Sequence, residues 1–247
     1  MQLPGTPSDE IDEVLATGRG DITTLFVSMA TRHPDGTDAE YLRWHTLDHR
    51  PEQHRLSAVR ASLRLVSTPA CRATRAARTD PYDAIDHVMT YFFTEPAGMD
   101  GFLALAKALI GGKRKLPLLP PVERGVYEVN CKSAAPRVKV GADVLPWWPV
   151  KGVYLLLERG DAPPDPLLAV DGVAGVWSAT TLDVDARLAS APVGQNITYC
   201  FLDDDPLSTA ERLRPVLTSR WGQGGVEPLL AAPFHLVVPH DWDRHVP

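Results

Sequence analysis

The sequence predicts an α+β fold in which two successive βαββαβ units turn their sheets toward each other and close into one barrel. Three observations carry that prediction. Short β-branched and aromatic runs alternate with amphipathic runs in one fixed order, and the order occurs twice. Strands such as VMTYFF and VYLLLE are apolar at nearly every position, the pattern of a sheet covered on both faces. A stretch from Cys131 to Pro149, with SAAP and DVLPWWP in it, separates the two sets.

Residues 1–20 mix Pro, Gly and acidic residues around EIDEVLATG and read as an N-terminal arm. The first repeat is expected over 21–131. It opens with the strand ITTLFVSMA and the turn residues His33, Pro34, Asp35 and Gly36. A helix follows, with Asp38 as N-cap and Glu40 in its first turn, and is expected to end near Pro51, which lacks a backbone donor. AVRASLRLVS is the second strand, a polar Arg-rich loop spans Thr68 to Asp80, and DHVMTYFFTE is the third strand. The helix MDGFLALAKALI is stopped by Gly111 and Gly112, and ERGVYEVN closes the unit. After a linker at 132–149, the second repeat runs over 150–240. Its elements are the strand KGVYLLLERG, a short helix in PDPLLAV ended by Gly172, the strands VAGVWSATTL and NITYCFLDD, the helix STAERLRPVLTSRW, and the strand APFHLVVP. Residues 241–247 form a polar C-terminal tail. Thr90, Tyr91 and Phe93 in the first unit match Thr198, Tyr199 and Phe201 in the second, each strand leading to an acidic residue, a proline and a helix.

A ferredoxin-like unit of this order has a four-stranded antiparallel sheet with both helices on one face, so its other face needs a cover. The prediction is therefore a tandem duplication of ferredoxin-like βαββαβ repeats pairing into one intramolecular, pseudo-dimeric α/β barrel. Its interior is a place where a small molecule would sit.

With 247 residues, 44% of them hydrophobic, the chain buries a sizeable core. The net charge of -6 and the short basic clusters, such as Lys113, Arg114 and Lys115, argue against nucleic acid or an anionic membrane as partner. No apolar run approaches the roughly 20 residues that span a bilayer, and the N-terminus lacks a basic start and an apolar stretch, so a cytoplasmic location is expected. Cys71, Cys131 and Cys200 are odd in number and lack CxxC spacing, which supports neither a disulfide framework nor a thiolate zinc site. The glycine-rich nucleotide loops, HExxH and GxSxG are all missing from the sequence.

The segment RWHTLDHRPE, Arg43 to Glu52, is similar to the W-[YH]-x-x-x-H-x-P-E signature on the first helix of many EthD-like proteins, with Trp44, His49, Pro51 and Glu52 matching it. LLAVDGVAGVW in the second half resembles a helix, glycine and strand passage common in the wider dimeric α/β-barrel superfamily. That superfamily includes small polyketide cyclases, muconolactone isomerases, quinol-forming monooxygenases and several haem enzymes. Most relatives, as the resemblance implies, build the barrel from two chains; here one chain supplies both halves, so the barrel is expected to be self-contained, with a homo-oligomer of such barrels left open. PPDPLLAVDG contains no histidine, so only the first half carries the motif. The resemblance implies a small-molecule enzyme without an organic cofactor, of cyclase, dehydratase, isomerase or monooxygenase type, acting on an aromatic or polyketide-like compound. A non-catalytic ligand-binding or assembly protein, and a haem protein with a histidine axial ligand, are the alternatives.

His45 and His49 are four apart and share a helix face, a spacing that suits a metal ion, proton transfer, or, for His49, capping of the helix C-terminus. His49 is the acid/base candidate, with His45 or Asp48 as its neighbour, because imidazole titrates near neutrality. Tyr91 and Tyr199 are expected to position a ligand if their strand faces line the cavity, and to be ordinary core tyrosines if they do not. His87 begins the same strand as Tyr91, with Asp86 beside it as a possible orienting group. Trp44 and Trp177 are further ligand-contact candidates, and Trp147 and Trp148 suggest packing of the linker. The tail PHDWDRHVP gathers His240, Asp241, Asp243 and His245 and is read as frayed, without a metal.

Overall fold

The computed structural model describes residues 21–114, 118–160, 163–186 and 188–247; the N-terminal arm lies outside them. The first half contains β1 (Thr24–Ala30), a helical run, β2 (Val59–Val66), β4 (His87–Phe93), α4 (Gly98–Gly111) and β5 (Pro121–Ala134). The run comprises α1 (Asp38–Trp44), a π-helical turn (His45–His49) and α2 (Arg50–Gln53). The second half contains β6 (Gly152–Arg159), α5 (Asp165–Leu168), β7 (Val173–Thr181), β8 (Gln195–Leu202), α6 (Pro206–Gly222) and β9 (Glu227–Leu236). Between β2 and β4, the stretch expected to be loop holds α3 (Pro69–Ala73) and the short strand β3 (Ala77–Arg78).

The predicted fold class holds. The strand order β2-β4-β1-β5-β7-β8-β6-β9 gives each half the same internal arrangement, and β9 returns to β2 so that the sheet closes on itself. The two seams differ. β5 and β7 pair over Tyr127↔Thr181 through Ala134↔Gly175, whereas β2 and β9 pair only at Leu65↔Leu236 and Val66↔His235. The short strand β3 covers more of the β9 edge, at Ala77↔Ala231 and Arg78↔Leu230. Lys132, Ser133 and Ala134, read as linker in the sequence, extend β5 and build the longer seam.

Strand alternation sends Leu25, Val27 and Met29, Val88 and Phe92, Ile197, Tyr199 and Phe201, and Trp177 into one buried cluster inside the barrel. The interior is a packed core of the kind small barrels have. This corrects the expectation that the ligand space lies within it. At one place polar groups meet there: the Thr90 and Tyr199 hydroxyls lie 2.6 Å apart. At another, the buried Glu123 carboxylate accepts from Gln195 Nε2 (2.6 Å) and from the Tyr82 hydroxyl (2.9 Å), and burial raises its pKa.

The Tyr91 and Tyr199 match fails for a geometric reason. Thr90 and Tyr199 both point into the barrel, so Tyr91 points outward, toward the helices. A one-residue offset between strands turns every side chain to the other face, and the TY-x-F similarity carries that offset.

The outer faces are covered by helices. In the second half α5 and α6 seal Tyr154, Leu156, Val176 and Cys200 beneath Leu167, Leu213 and Leu217. Gly172 ends the α5 passage with φ +94, and a Cβ there would meet Thr209 Oγ1 at 2.6 Å, so the chain turns where only glycine fits. In the first half α4 packs Met99 and Phe102 on Phe26, Met89, Tyr91 and Phe93. The C-terminal tail is not frayed: the His245 ring stacks on His235 with centroids 3.8 Å apart, and Trp242 packs against Leu42, Val66 and Val237.

Candidate functional site

The helical run on the first half departs from the sequence prediction in two ways. Its N-cap is Thr37, without a side-chain bond, and Asp38 is instead the first helical residue with its carboxylate buried. Pro51 does not end the run. The chain reaches it through the π turn, in which the Arg50 N–H bonds to the His45 carbonyl, and Pro51 then sits in the first turn of α2 where its missing donor costs nothing. His49 therefore lies inside the run and not at its C-terminus, which removes the capping role.

The run stacks four rings. Trp44 and His49 lie nearly parallel with centroids 5.0 Å apart, the His45 and His49 centroids are 5.6 Å apart, and Tyr41 stacks on His45 at 6.3 Å. The outer side is clamped to the end of α4: Trp44 Nε1 donates to the Arg114 carbonyl (3.0 Å), and the Arg114 guanidinium pairs with Asp48 (3.1 Å) and Glu52 (3.0 Å). The inner side faces the sheet across a cavity of about 180 Å³. Phe26, Met89 and Phe102 give it apolar walls, and His45, His49, Tyr91, Arg64 and Arg124 line its polar side.

Three buried polar atoms at this place have no hydrogen-bond partner among the described residues: His45 Nδ1, the Tyr91 hydroxyl oxygen and Arg64 Nε. Native interiors rarely leave such groups unsatisfied, so their clustering points to something that completes them. Burial, reinforced by the charges of Arg64 and Arg50 nearby, holds the His45 pKa well below its ordinary value and keeps the ring neutral. Burial also raises the Tyr91 phenol, which stays protonated.

Behind this wall is a second layer. Arg64 Nη2 donates to His87 Nδ1 (3.1 Å), and His87 Nε2 donates to Asp38 Oδ1 (2.8 Å). Arginine has no acceptor, so His87 Nδ1 must be the accepting nitrogen and the single ring proton sits on Nε2. Burial brings the His87 pKa down to about 4, opposed by the bond to Asp38 and assisted by the charge of Arg64. Burial would raise the Asp38 carboxyl, but the bonds from His87 and the His33 backbone outweigh it and leave the pKa lowered. His87 thus contributes by holding Arg64 and does not line the cavity, and the residue that orients it is Asp38. Asp86, the neighbour favoured from the sequence, pairs with Arg72 and accepts from the Arg32 backbone.

Of the residues singled out in the sequence, His45, His49 and Tyr91 come together at the cavity, Trp44 backs His49, and Asp48 faces Arg114. Tyr199 and Trp177 do not reach it, being fully buried in the barrel. Arg64 and Arg124 line the cavity and were passed over in the sequence. Larger grooves exist, one of about 790 Å³ along Ser178, Thr180, Asn196 and Thr198, but the residues that line it include no histidine or tyrosine. Among the described residues no cluster of three His, Cys, Asp or Glu side chains is placed to hold a metal ion, and no helix is long and apolar enough to cross a membrane. In this cavity the residues do not fit a haem: it is smaller than the roughly 300 Å³ at which drug-sized ligand sites begin, and Tyr41, Trp44 and His49 crowd the His45 ring.

No protein-family model matches the chain, and no curated protein matches it in sequence. Solved structures do match in shape. A protein provisionally named a chlorite dismutase superposes with a TM-score of 0.52 at 12% identity, covering 90% of this chain and 97% of the other. An anthrone oxidase-like protein gives 0.49 at 11% identity over 90% and 94%, and chlorite dismutase from Candidatus Nitrospira defluvii, in complex with imidazole, gives 0.46 at 11% over 92% and 95%. At such identities the 0.52 superposition shows a likeness of fold alone, a single chain whose sheet closes on itself beneath outer helices.

Proposed function

We propose that this chain is a small-molecule enzyme of EthD-like type that works without an organic cofactor and moves a proton on a small aromatic ligand bound between the first-half sheet and its helices. The observation that carries this reading is the convergence of His45, His49 and Tyr91 on one apolar-walled cavity in which the His45 Nδ1 and Tyr91 hydroxyl groups lack partners. Such a cavity combines apolar walls with a few polar groups, the usual make-up of a small-molecule site.

In this reading His49 is the acid/base group, a role for which imidazole is the usual side chain. His45, its pKa held low by burial, is the weaker base of the two and serves as a hydrogen-bonding group. The Tyr91 phenol, protonated at any working pH, donates to an oxygen on which charge develops when the neighbouring carbon loses its proton. Cyclisation, dehydration and isomerisation can each begin with that step. Trp44 fixes the plane of the His49 ring by stacking on it.

The test is turnover of a confirmed substrate by full-length protein. His49→Ala is expected to lower kcat by roughly 10²- to 10⁴-fold, the usual worth of a positioned acid or base, while the ligand still raises the melting temperature. Unchanged turnover would remove His49 from this role, and a ligand that stabilises the wild type without ever being converted would favour the non-catalytic binding reading. Haem binding is the weaker alternative on grounds of size; a Soret band in freshly purified protein would revive it.

A further inference from the structure

We propose that the ligand of this cavity is an anion, a single aromatic ring bearing one carboxylate, and that Arg64 reads its charge. The inference rests on the cavity being the ligand site and adds the chemical class that the site accepts.

Arg64 stands on β2 and is 4% exposed. Among the described residues no carboxylate lies within ion-pair distance of its guanidinium. The nearest acid in the network, Asp38, stands behind His87 and is already engaged by His87 Nε2 and the His33 N–H. One guanidinium nitrogen, Nη2, is spent on His87, Nε is buried without a partner, and the Tyr41 ring lies 5.2 Å from the guanidinium carbon. The Tyr41 side chain and the Asp38 charge behind His87 support the guanidinium without touching it as an ion pair; a buried cation with no direct counter-ion carries a desolvation cost that falls when an anion arrives.

The surroundings are electropositive as well. Arg50 gives its donors to Ser62 Oγ (2.7 Å) and the Ser62 carbonyl (3.2 Å), and Arg124 lines the same cavity. Of the acids of the helical run, Asp48 and Glu52 are turned to Arg114 on the opposite side, and Asp38 is engaged behind His87. A positive cavity in a chain of net charge -6 is a local arrangement that the overall composition does not explain. Shape supplies the rest. A planar guanidinium with its Nε free to donate matches a planar carboxylate better than a compact or tetrahedral charge. The volume of about 180 Å³ is slightly above the roughly 150 Å³ of an apolar cavity known to hold benzene, so it suits one ring and its acid group.

Isothermal titration of the full chain with sodium benzoate and with benzamide, its neutral counterpart of equal shape, tests this directly. Wild type is expected to bind benzoate at least about tenfold more tightly than benzamide, the difference a charge-assisted pair makes. Arg64→Gln should bring the two affinities together. Equal affinities in the wild type overturn the anion and leave the cavity reading standing. Ala106→Trp, which fills the cavity from α4, locates the event: benzoate binding that survives it takes place elsewhere and sinks both. Absence of binding by either probe also overturns the proposal, and the wild-type comparison decides even if Arg64→Gln does not fold.

Discussion

The helix-covered faces of the two halves occupy equivalent places in the barrel and are built in opposite ways. In the second half the face consists of Tyr154, Leu156, Val176 and Cys200, and it closes on Leu167, Leu213 and Leu217. In the first half the same face presents Arg64, Tyr91, Met89 and Phe26 to a cavity. The covering elements differ in step with the surfaces: seven-, five- and four-residue helical pieces follow one another over the first sheet, where the second has the four-residue α5 at the same point in the order. A duplicated fold needs each sheet face covered, but only one copy needs to be dry. The first half retains a group of buried polar side chains at a cost in stability, and the second half, whose sealed face leaves the Tyr154 hydroxyl without a partner among the described residues, supplies the packing that tolerates it.

That division is broken most easily at Trp177, a residue of the dry region. Its indole is fully buried, meets Phe92 edge-on at 5.6 Å and Phe201 at 6.0 Å, and donates from Nε1 to the Ala142 carbonyl at 2.9 Å. Trp177→Ala is expected to cost about 3–5 kcal/mol in urea unfolding, as large core truncations do. A loss below about 1 kcal/mol would mean that the interior is loosely packed and able to admit a ligand after all.

Acid should find the polar region first. In the unfolded chain His87 takes a proton near pH 6.5, and in the folded chain only at about 4. Between these values the unfolded state holds more protons, so stability is fully present above pH 6.5 and is lost as pH falls toward 4, by up to roughly 3 kcal/mol. The lowered His45 acts in the same direction. His87→Gln separates the two, because a glutamine amide can donate to Asp38 and accept from Arg64 yet has no proton to gain. Its stability should fall less than that of the wild type between pH 7 and pH 4.5; parallel curves would show that His87 is not the group that titrates.

The barrel was legible in the sequence because strand and helix periods survive in it: β1, β2, β4, β6, β7 and β8 all appear as the apolar or alternating runs from which they were read. The site was half legible. His45 and His49 announce themselves by spacing, but Arg64 does not. In AVRASLRLVS the residues Arg60, Ser62 and Arg64 alternate with Ala61, Leu63 and Leu65, which reads as a strand with one wet face. Ser62 and Arg64 are instead buried, at 3% and 4% exposure. A polar stripe on a strand whose fold demands a helical cover is the signal that was available. The Tyr91 and Tyr199 match misled because identity of letters says nothing of register, and a single residue of offset separates cavity from core.

The smallest expected effect is also the most discriminating between the two regions. Tyr91 and Tyr199 are both buried tyrosines, but the Tyr199 hydroxyl has Thr90 Oγ1 at 2.6 Å while the Tyr91 hydroxyl has no partner. Removing a satisfied buried hydroxyl leaves its partner stranded; removing an unsatisfied one relieves a penalty. Tyr199→Phe should therefore destabilise the fold by about 1 kcal/mol, and Tyr91→Phe should leave it unchanged or stabilise it by up to about 1 kcal/mol. If the Tyr91 hydroxyl exists to meet a ligand, the same Tyr91→Phe change weakens ligand binding while unfolding measurements register no loss. Equal destabilisation by both substitutions would place Tyr91 among the ordinary core tyrosines and leave His45 and Arg64 as the remaining unsatisfied groups of the cavity.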